Sequence, residues 1–197
     1  NIDDREKYNQ NMNDIQDYLN RNNIENQKII TRPSILSFNG DTFFVTVVGL
    51  EDFNYIKETF NLSLDEKVFK TGALIGEELS RKLGNPAAND SLLILSPLDS
   101  GLSVNGKFFS YIDEQISFKN PNAIKNISGE YVYIDYDSAK TIFNFAHPYI
   151  SVNTDLSNDR IDMIKESFPN ITITDWREAN PLFFNAIKIE KFSIVYE

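Results

Sequence analysis

Asn39-Gly40, set between the apolar runs Ile35–Phe38 and Thr42–Val48, constrains this chain more than any other pair of residues. The favoured two-residue hairpin turn needs positive φ at both central positions, and asparagine followed by glycine tolerates that best. The pair therefore predicts an antiparallel hairpin. A second pair, Asn105-Gly106, predicts another hairpin turn, between strands at Ser91–Ser96 and Lys107–Ile112.

The remaining patterning is mixed. Tyr8, Met12, Ile15 and Leu19 repeat at helical spacing across residues 3–20, with Asn22-Asn23 as a stop. Gln27–Thr31 reads as a short strand ending before Pro33, and Ala73–Ile75 as a brief apolar one. Glu77–Leu83 reads as a helix ended by Gly84, with Glu77–Arg81 and Glu78–Lys82 as favourable pairs four apart. Glu51–Thr71 is poorly patterned and reads as a connecting loop with a short helical turn. Asp113–Ser128 reads as a loop broken by Pro121. Glu130–Asp135 alternates as a half-buried strand, after which Asp137 is expected to cap a helix through Ala139, Ile142 and Phe143. Tyr149–Val152 is a strand, Ser157 caps a helix with Ile161, Ile164 and Phe168 on one face, and Ile171–Thr174 is a last strand. Strand, helix, strand at this end makes a small α/β lobe, while the middle is mostly strands, so the fold class is α+β. There is no internal repeat and no low-complexity tract.

Residues 174–190 are the most apolar stretch. Asp175 and Glu178 have capping-box spacing, and Pro181 keeps Asn180 out of the α region, so Asn180 is expected to cap a second helix. That helix carries Leu182, Phe183, Phe184, Ala186, Ile187, Ile189 and Phe192 on more than one stripe. Such a helix is buried or runs into something apolar such as a bilayer. Trp176, just before it, reads as a core anchor.

Charge and residue usage exclude several function classes. With 19 basic against 29 acidic side chains the net charge is −10, which disfavours nucleic acid and anionic headgroups. The chain has no cysteine and one histidine, His147, so thiolate sites and His-pair zinc motifs are ruled out. Gly72-x-x-x-Gly76 lacks the Lys-Ser/Thr of a phosphate loop, and Glu77-Glu78 would repel phosphate there. Asp135 with Asp137, and Asp155 with Asp159, fit no calcium loop and serve equally as helix caps. No catalysis, metal or cofactor is expected. No apolar run reaches the roughly 20 residues that span a membrane. The first residue is Asn rather than Met, so the chain is expected to be part of a longer one. The best candidate for partner binding is the hairpin Leu98–Lys107, with Leu102 and Val104 projecting at its tip, Asn105-Gly106 turning it and Lys107 following. An ordinary surface turn is the competing reading.

Several of these stretches resemble one family. Trp176-Arg177, Leu182-Phe183 and Glu190-Lys191 stand where the periplasmic domain of the LolC and LolE permeases, the lipoprotein-releasing transporters of Gram-negative bacteria, enters its second membrane helix. GALIGEELSRKLG (residues 72–84), EYVYIDYDSAKTIF (130–143) and Val47-Val48-Gly49-Leu50 resemble further family elements in the right order. The resemblance implies a porter-like α/β lobe from residues 1–34 and 148–197, and a strand-rich, sabre-like lobe from 35–147, as in MacB-type permeases. It implies a periplasmic domain anchored to the inner membrane by flanking helices, with Trp176, Pro181, Phe183, Phe184 and Ile187 coupling the domain to them. Implied partners are a second permease subunit, a cytoplasmic ATPase subunit, lipoprotein cargo and a periplasmic carrier. Two departures are plain: the loop opened by Pro97 is shorter than the carrier-recruiting hook, implying weak carrier contact, and Tyr111-Ile112-Asp113 stands where the family has V-x-G. An FtsX- or MacB-like interaction domain with another partner is the alternative.

Overall fold

A computed structural model describes residues 2–97, 105–114, 130–143, 148–152 and 156–174. The chain divides into two compact units, Asn1–Asn153 and Thr154–Glu197.

In chain order the first unit contains α1 (Ile2–Arg21), β1 (Asn26–Phe38), β2 (Asp41–Leu50), α2 (Phe53–Phe60) and α3 (Glu66–Phe69). It continues with β3 (Gly72–Ile75), α4 (Glu77–Lys82), β4 (Ser91–Ser96), β5 (Asn105–Tyr111), β6 (Tyr131–Asp135), α5 (Tyr136–Ile142) and β7 (Tyr149–Val152). α1 buries Met12 and Leu19 and ends at Asn23, whose φ of 52° is left-handed. The β1–β2 turn has φ of 51° at Asn39 and 91° at Gly40, the type I′ signature, and sets Phe38 opposite Asp41.

The seven strands make one sheet that returns on itself. β1 pairs antiparallel with β2, β2 runs parallel to β6, β6 pairs with β3, β3 runs parallel to β5, and β5 pairs with β4. β4 then closes the ring onto β1 at Ile35↔Leu95, and β7 joins the same edge of β1 further back, from Asn26↔Val152 to Ile29↔Tyr149. Alternate residues of every ring strand share a single inner cluster, among them Leu36, Val47, Ile75, Ile94, Phe109 and Val132. Leu79 of α4 and Ala139, Ile142 and Phe143 of α5 belong to the same cluster. A second cluster lies on the outer face of part of the ring, where Ile56, Leu62, Leu64 and Phe69 from the α2–α3 region cover Ile29, Leu50 and Leu74.

Several expectations need correction. The region 51–71 is two capped helices rather than a loop. Asp52 accepts from Asn54 N–H to open α2, Asn61 closes it at φ 52°, and Asp65 accepts from Lys67 N–H to open α3. β1 does not stop before Pro33 but runs through it, crossing positions 34–35 without a break. Counting from Phe38↔Asp41, Pro33 is a non-hydrogen-bonded partner of Thr46, so its missing N–H faces the other edge of β1. There β7 has paired no further than Ile29 and β4 begins only at Ile35, so no ladder bond is lost.

α5 is capped by Asp135 rather than Asp137: Asp135 Oδ2 accepts from Asp137 N–H at 3.0 Å and Ser138 N–H at 3.3 Å. Asn105-Gly106 is not a turn. Both residues lie inside β5, opposite Ser96 and Leu95, and the connection between the strands falls before them.

In the second unit α6 (Asn158–Ser167) buries Ile164, and Ser157 stands at its N-cap position without a side-chain cap bond. Ile171 and Ile173 are half-buried and Thr172 and Thr174 exposed, as in a strand, yet residues 171–174 form no ladder among the described residues. Alternation sets exposure, but a strand also needs a neighbour to bond.

Candidate functional site

The predicted partner-binding residues separate. Leu98, Leu102 and Val104 lie outside the described residues, as do Trp176, Pro181, Phe183, Phe184 and Ile187. Lys107 is on the inward-facing side of β5. Its Nζ donates to Ser138 Oγ of α5 at 3.0 Å and stands 5.2 Å from the centre of the Phe109 ring, a cation–π distance. Its charge is thus held by the body of the domain. Gly106 has a packing reason of its own, since a Cβ there would lie 2.5 Å from Leu95 Cδ2. The end of the Leu95 side chain lies across that glycine and would have to shift to admit a Cβ.

Sequence reasoning missed the large apolar side chains that are most exposed among the described residues. Phe44 is 86% exposed in the middle of β2 and Phe108 66% exposed in β5. Both were legible in principle, because successive strand residues face opposite ways and each sits in a Phe-Phe pair. Phe43 and Phe109 take the inward positions, which forces Phe44 and Phe108 outward.

A cleft of about 330 Å³ lies at the carboxyl ends of the parallel pair β2–β6, lined from α1 by Asn9, Met12 and Asn13. Lys28 and Glu51 form its hub. Lys28 Nζ donates to Asn13 Oδ1 at 2.9 Å and stands 3.9 Å from Glu51, while Glu51 Oε2 accepts from Gln16 Nε2 at 2.7 Å and from Lys28 N–H at 3.1 Å. One carboxylate therefore ties α1 to both strands of the first hairpin. Further along α1, the Tyr8 hydroxyl donates to Pro148 O at 2.7 Å, at the start of β7. Across the cleft Lys70 pairs with Glu66 at 3.1 Å, and that bond together with the nearby Asp135 and Asp137 raises its pKa.

Burial pushes the Tyr136 phenol up to about 12, with Glu51, Asp137 and Tyr8 adding to the shift, and burial raises Tyr8 as well. Both stay protonated near neutral pH, so neither serves there as a base or nucleophile. Among the described residues no group of three or more His, Cys, Asp or Glu is placed to hold a metal ion. The cleft's charges are largely spent on one another, so its evident role is to moor α1.

No family model matches this chain, and no curated protein matches it. Solved structures do. The extracellular domain of the noncanonic ABC-type transporter YknZ from Gram-positive bacteria superposes with a TM-score of 0.51 at 13% identity, over 77% of this chain and 76% of that one. A domain from Porphyromonas gingivalis assigned to a permease protein gives 0.45 at 12% identity, over 73% of this chain and 64% of that one. The first likeness establishes a shared fold.

Proposed function

We propose that this chain is the extracytoplasmic domain of an ABC transporter permease, of the kind that extracts lipoproteins from the inner membrane and hands them to a periplasmic carrier. The observation that carries the reading is the fold shared with a transporter's extracellular domain across three-quarters of both chains. Two stretches that resemble the LolC and LolE family support it further. Gly49 of the Val-x-Gly stretch packs directly against Ala139 of the helix that follows the EYVYID strand.

In this role the domain is not catalytic. Its partners are a second permease subunit, a cytoplasmic ATPase subunit, lipoprotein cargo and a periplasmic carrier that it contacts weakly. Among the described residues no helix is long and apolar enough to cross a membrane, so the membrane helices would come from flanking sequence. The test is to purify the complete protein in detergent with a candidate ABC ATPase subunit of the same organism and reconstitute both in liposomes carrying a lipoprotein. ATP-dependent transfer of that lipoprotein to a soluble carrier is the expected result. Failure of the two proteins to co-purify would overturn the permease reading itself.

A second reading is an FtsX- or MacB-like domain that serves another substrate or regulates a partner. It is supported by the same likeness, since the solved neighbour is the extracellular domain of a noncanonic ABC-type transporter. A stable complex with the ATPase that transfers no lipoprotein would select it.

A further inference from the structure

We infer that the outer face of β1, β2, β4 and β5 is a docking surface for a protein that presents an apolar centre rimmed by lysine or arginine. The face is defined by register. Ile35 lies opposite Phe44 on one side and Leu95 on the other, while Leu93 lies opposite Ser37 and Phe108. These residues join into one apolar stripe across four strands, with Phe44 and Phe108 exposed and Ile35, Leu93 and Leu95 half-buried. Among the other outward positions are Thr31, Pro33, Ser37, Thr42, Thr46, Ser91, Gly106 and Ser110.

No outward position of these strands carries a charge, although the chain has 19 basic and 29 acidic side chains. Nearby Lys107 and Arg32 fall at inward positions of β5 and β1 by the same alternation. Two phenylalanines held in water beside half-buried aliphatics mark an interaction surface rather than scattered exposure. Alternating hydroxyls add no desolvated charge that a partner would have to match.

The rim selects the partner's sign. Exposed Asp41 opens β2, Asp90 immediately precedes β4, and exposed Glu130 immediately precedes β6, where Thr46 of β2 finds its partner Tyr131. In the two residues that flank each of these strands on either side the sequence holds no lysine or arginine. A second copy would bring the same acidic rim and another net charge of −10 against the first. A partner with basic residues around an apolar centre is attracted instead, and steered on approach.

The inference stands apart from the transporter reading and can fail separately. The probe is a short peptide of alternating leucine and lysine, titrated into the isotope-labelled chain by NMR, with an alternating leucine–glutamate peptide as the charge control. Shifts centred on Ile35, Phe44, Leu93, Leu95 and Phe108 are expected with the lysine peptide alone, weakening as salt is raised. Phe44→Ser with Phe108→Ser should weaken binding by about tenfold or more, and Asp41→Lys with Glu130→Lys by a smaller factor. Both phenylalanines are exposed, so the urea midpoint of the first double variant should stay near wild type, which separates lost docking from lost folding. Undiminished binding by that variant overturns the proposal, as does equal binding of the glutamate peptide. Self-association in sedimentation runs that Phe44→Ser abolishes would overturn the choice of partner and assign the face to a second copy.

Discussion

Gly49→Ala tests the tightest contact in the fold. Gly49 is hemmed in on both sides, paired with Ile30 of β1 and Ile134 of β6, so its backbone cannot slide within the sheet. A Cβ added there would collide with Ala139 Cβ and meet Tyr136 Cα at 3.6 Å and Ile30 Cβ at 3.7 Å. Neither atom at the clash is the far end of a flexible side chain. Relief therefore requires α5 to back away from β2, carrying Ile142 and Phe143 out of the inner cluster. Overpacking of this kind costs about 1–3 kcal/mol, and the loss of unfolded-chain freedom on replacing glycine offsets about 0.4–1 kcal/mol. The net expectation is a destabilisation of roughly 1–2 kcal/mol, a fall in Tm of about 2–8 °C for a domain of this size. Urea unfolding followed by circular dichroism measures it. The partner change Ala139→Gly should itself cost about 1 kcal/mol in a helix, yet in the Gly49→Ala background it removes the clash. A double-mutant cycle should therefore show a favourable coupling of roughly 1–2 kcal/mol. Additive effects, or a Gly49→Ala variant as stable as wild type, would refute the contact.

Glu51→Ala should release α1, since it deletes the acceptor of Gln16 Nε2 and Lys28 N–H; a loss of about 1–2 kcal/mol and faster amide exchange throughout α1 are expected. Unchanged exchange would place the mooring elsewhere. Asp135→Ala should cost about 1 kcal/mol as a lost cap, and Asp137→Ala clearly less, as read from urea midpoints; the reverse order would restore Asp137 as the cap. At high pH the native state should weaken, because the unfolded chain's tyrosines ionise near 10 while burial holds Tyr136 up to about 12 and Tyr133 higher still. The unfolded state then binds fewer protons than the native one, so stability falls as pH rises from about 10 towards 12. Tyr136 is partly solvated, so after discounting for screening its share is roughly 1 kcal/mol, and Tyr136→Phe should remove that share from the measured slope.

How much of this was legible depends on whether the signal was local. Asn39-Gly40 announced its hairpin because the φ values it needs are a property of those two residues alone. The same dipeptide at Asn105-Gly106 misled for an instructive reason. Glycine also occurs inside strands where another group comes close, and Gly106 lies beneath the Leu95 side chain of a neighbouring strand. Two helices in residues 51–71 were readable from Asp52, Asn61 and the spacing of Phe53, Ile56 and Phe60, once caps were weighed before composition. The closing of the ring was not readable. It depends on parallel pairings, β2 with β6 and β3 with β5, which leave no turn in the sequence to betray them.

The same division governs the candidate surfaces. A hairpin tip draws attention because its residues are neighbours in sequence, and Lys107 looked like part of one until the register turned it inward onto Ser138. The uncharged outer face is a different kind of object. Its residues come from four separate strands, and what distinguishes it is the absence of charge at every second position of each. No window of sequence holds that pattern, since Asp41, Arg32 and Lys107 lie between the outward residues and hide it. Only when cross-strand partners are assigned do Phe44, Ile35, Leu95, Leu93 and Phe108 become one surface. Each Phe-Phe pair already required one ring to face away from the core, so the sequence held the fact of exposure while the fold alone held its address.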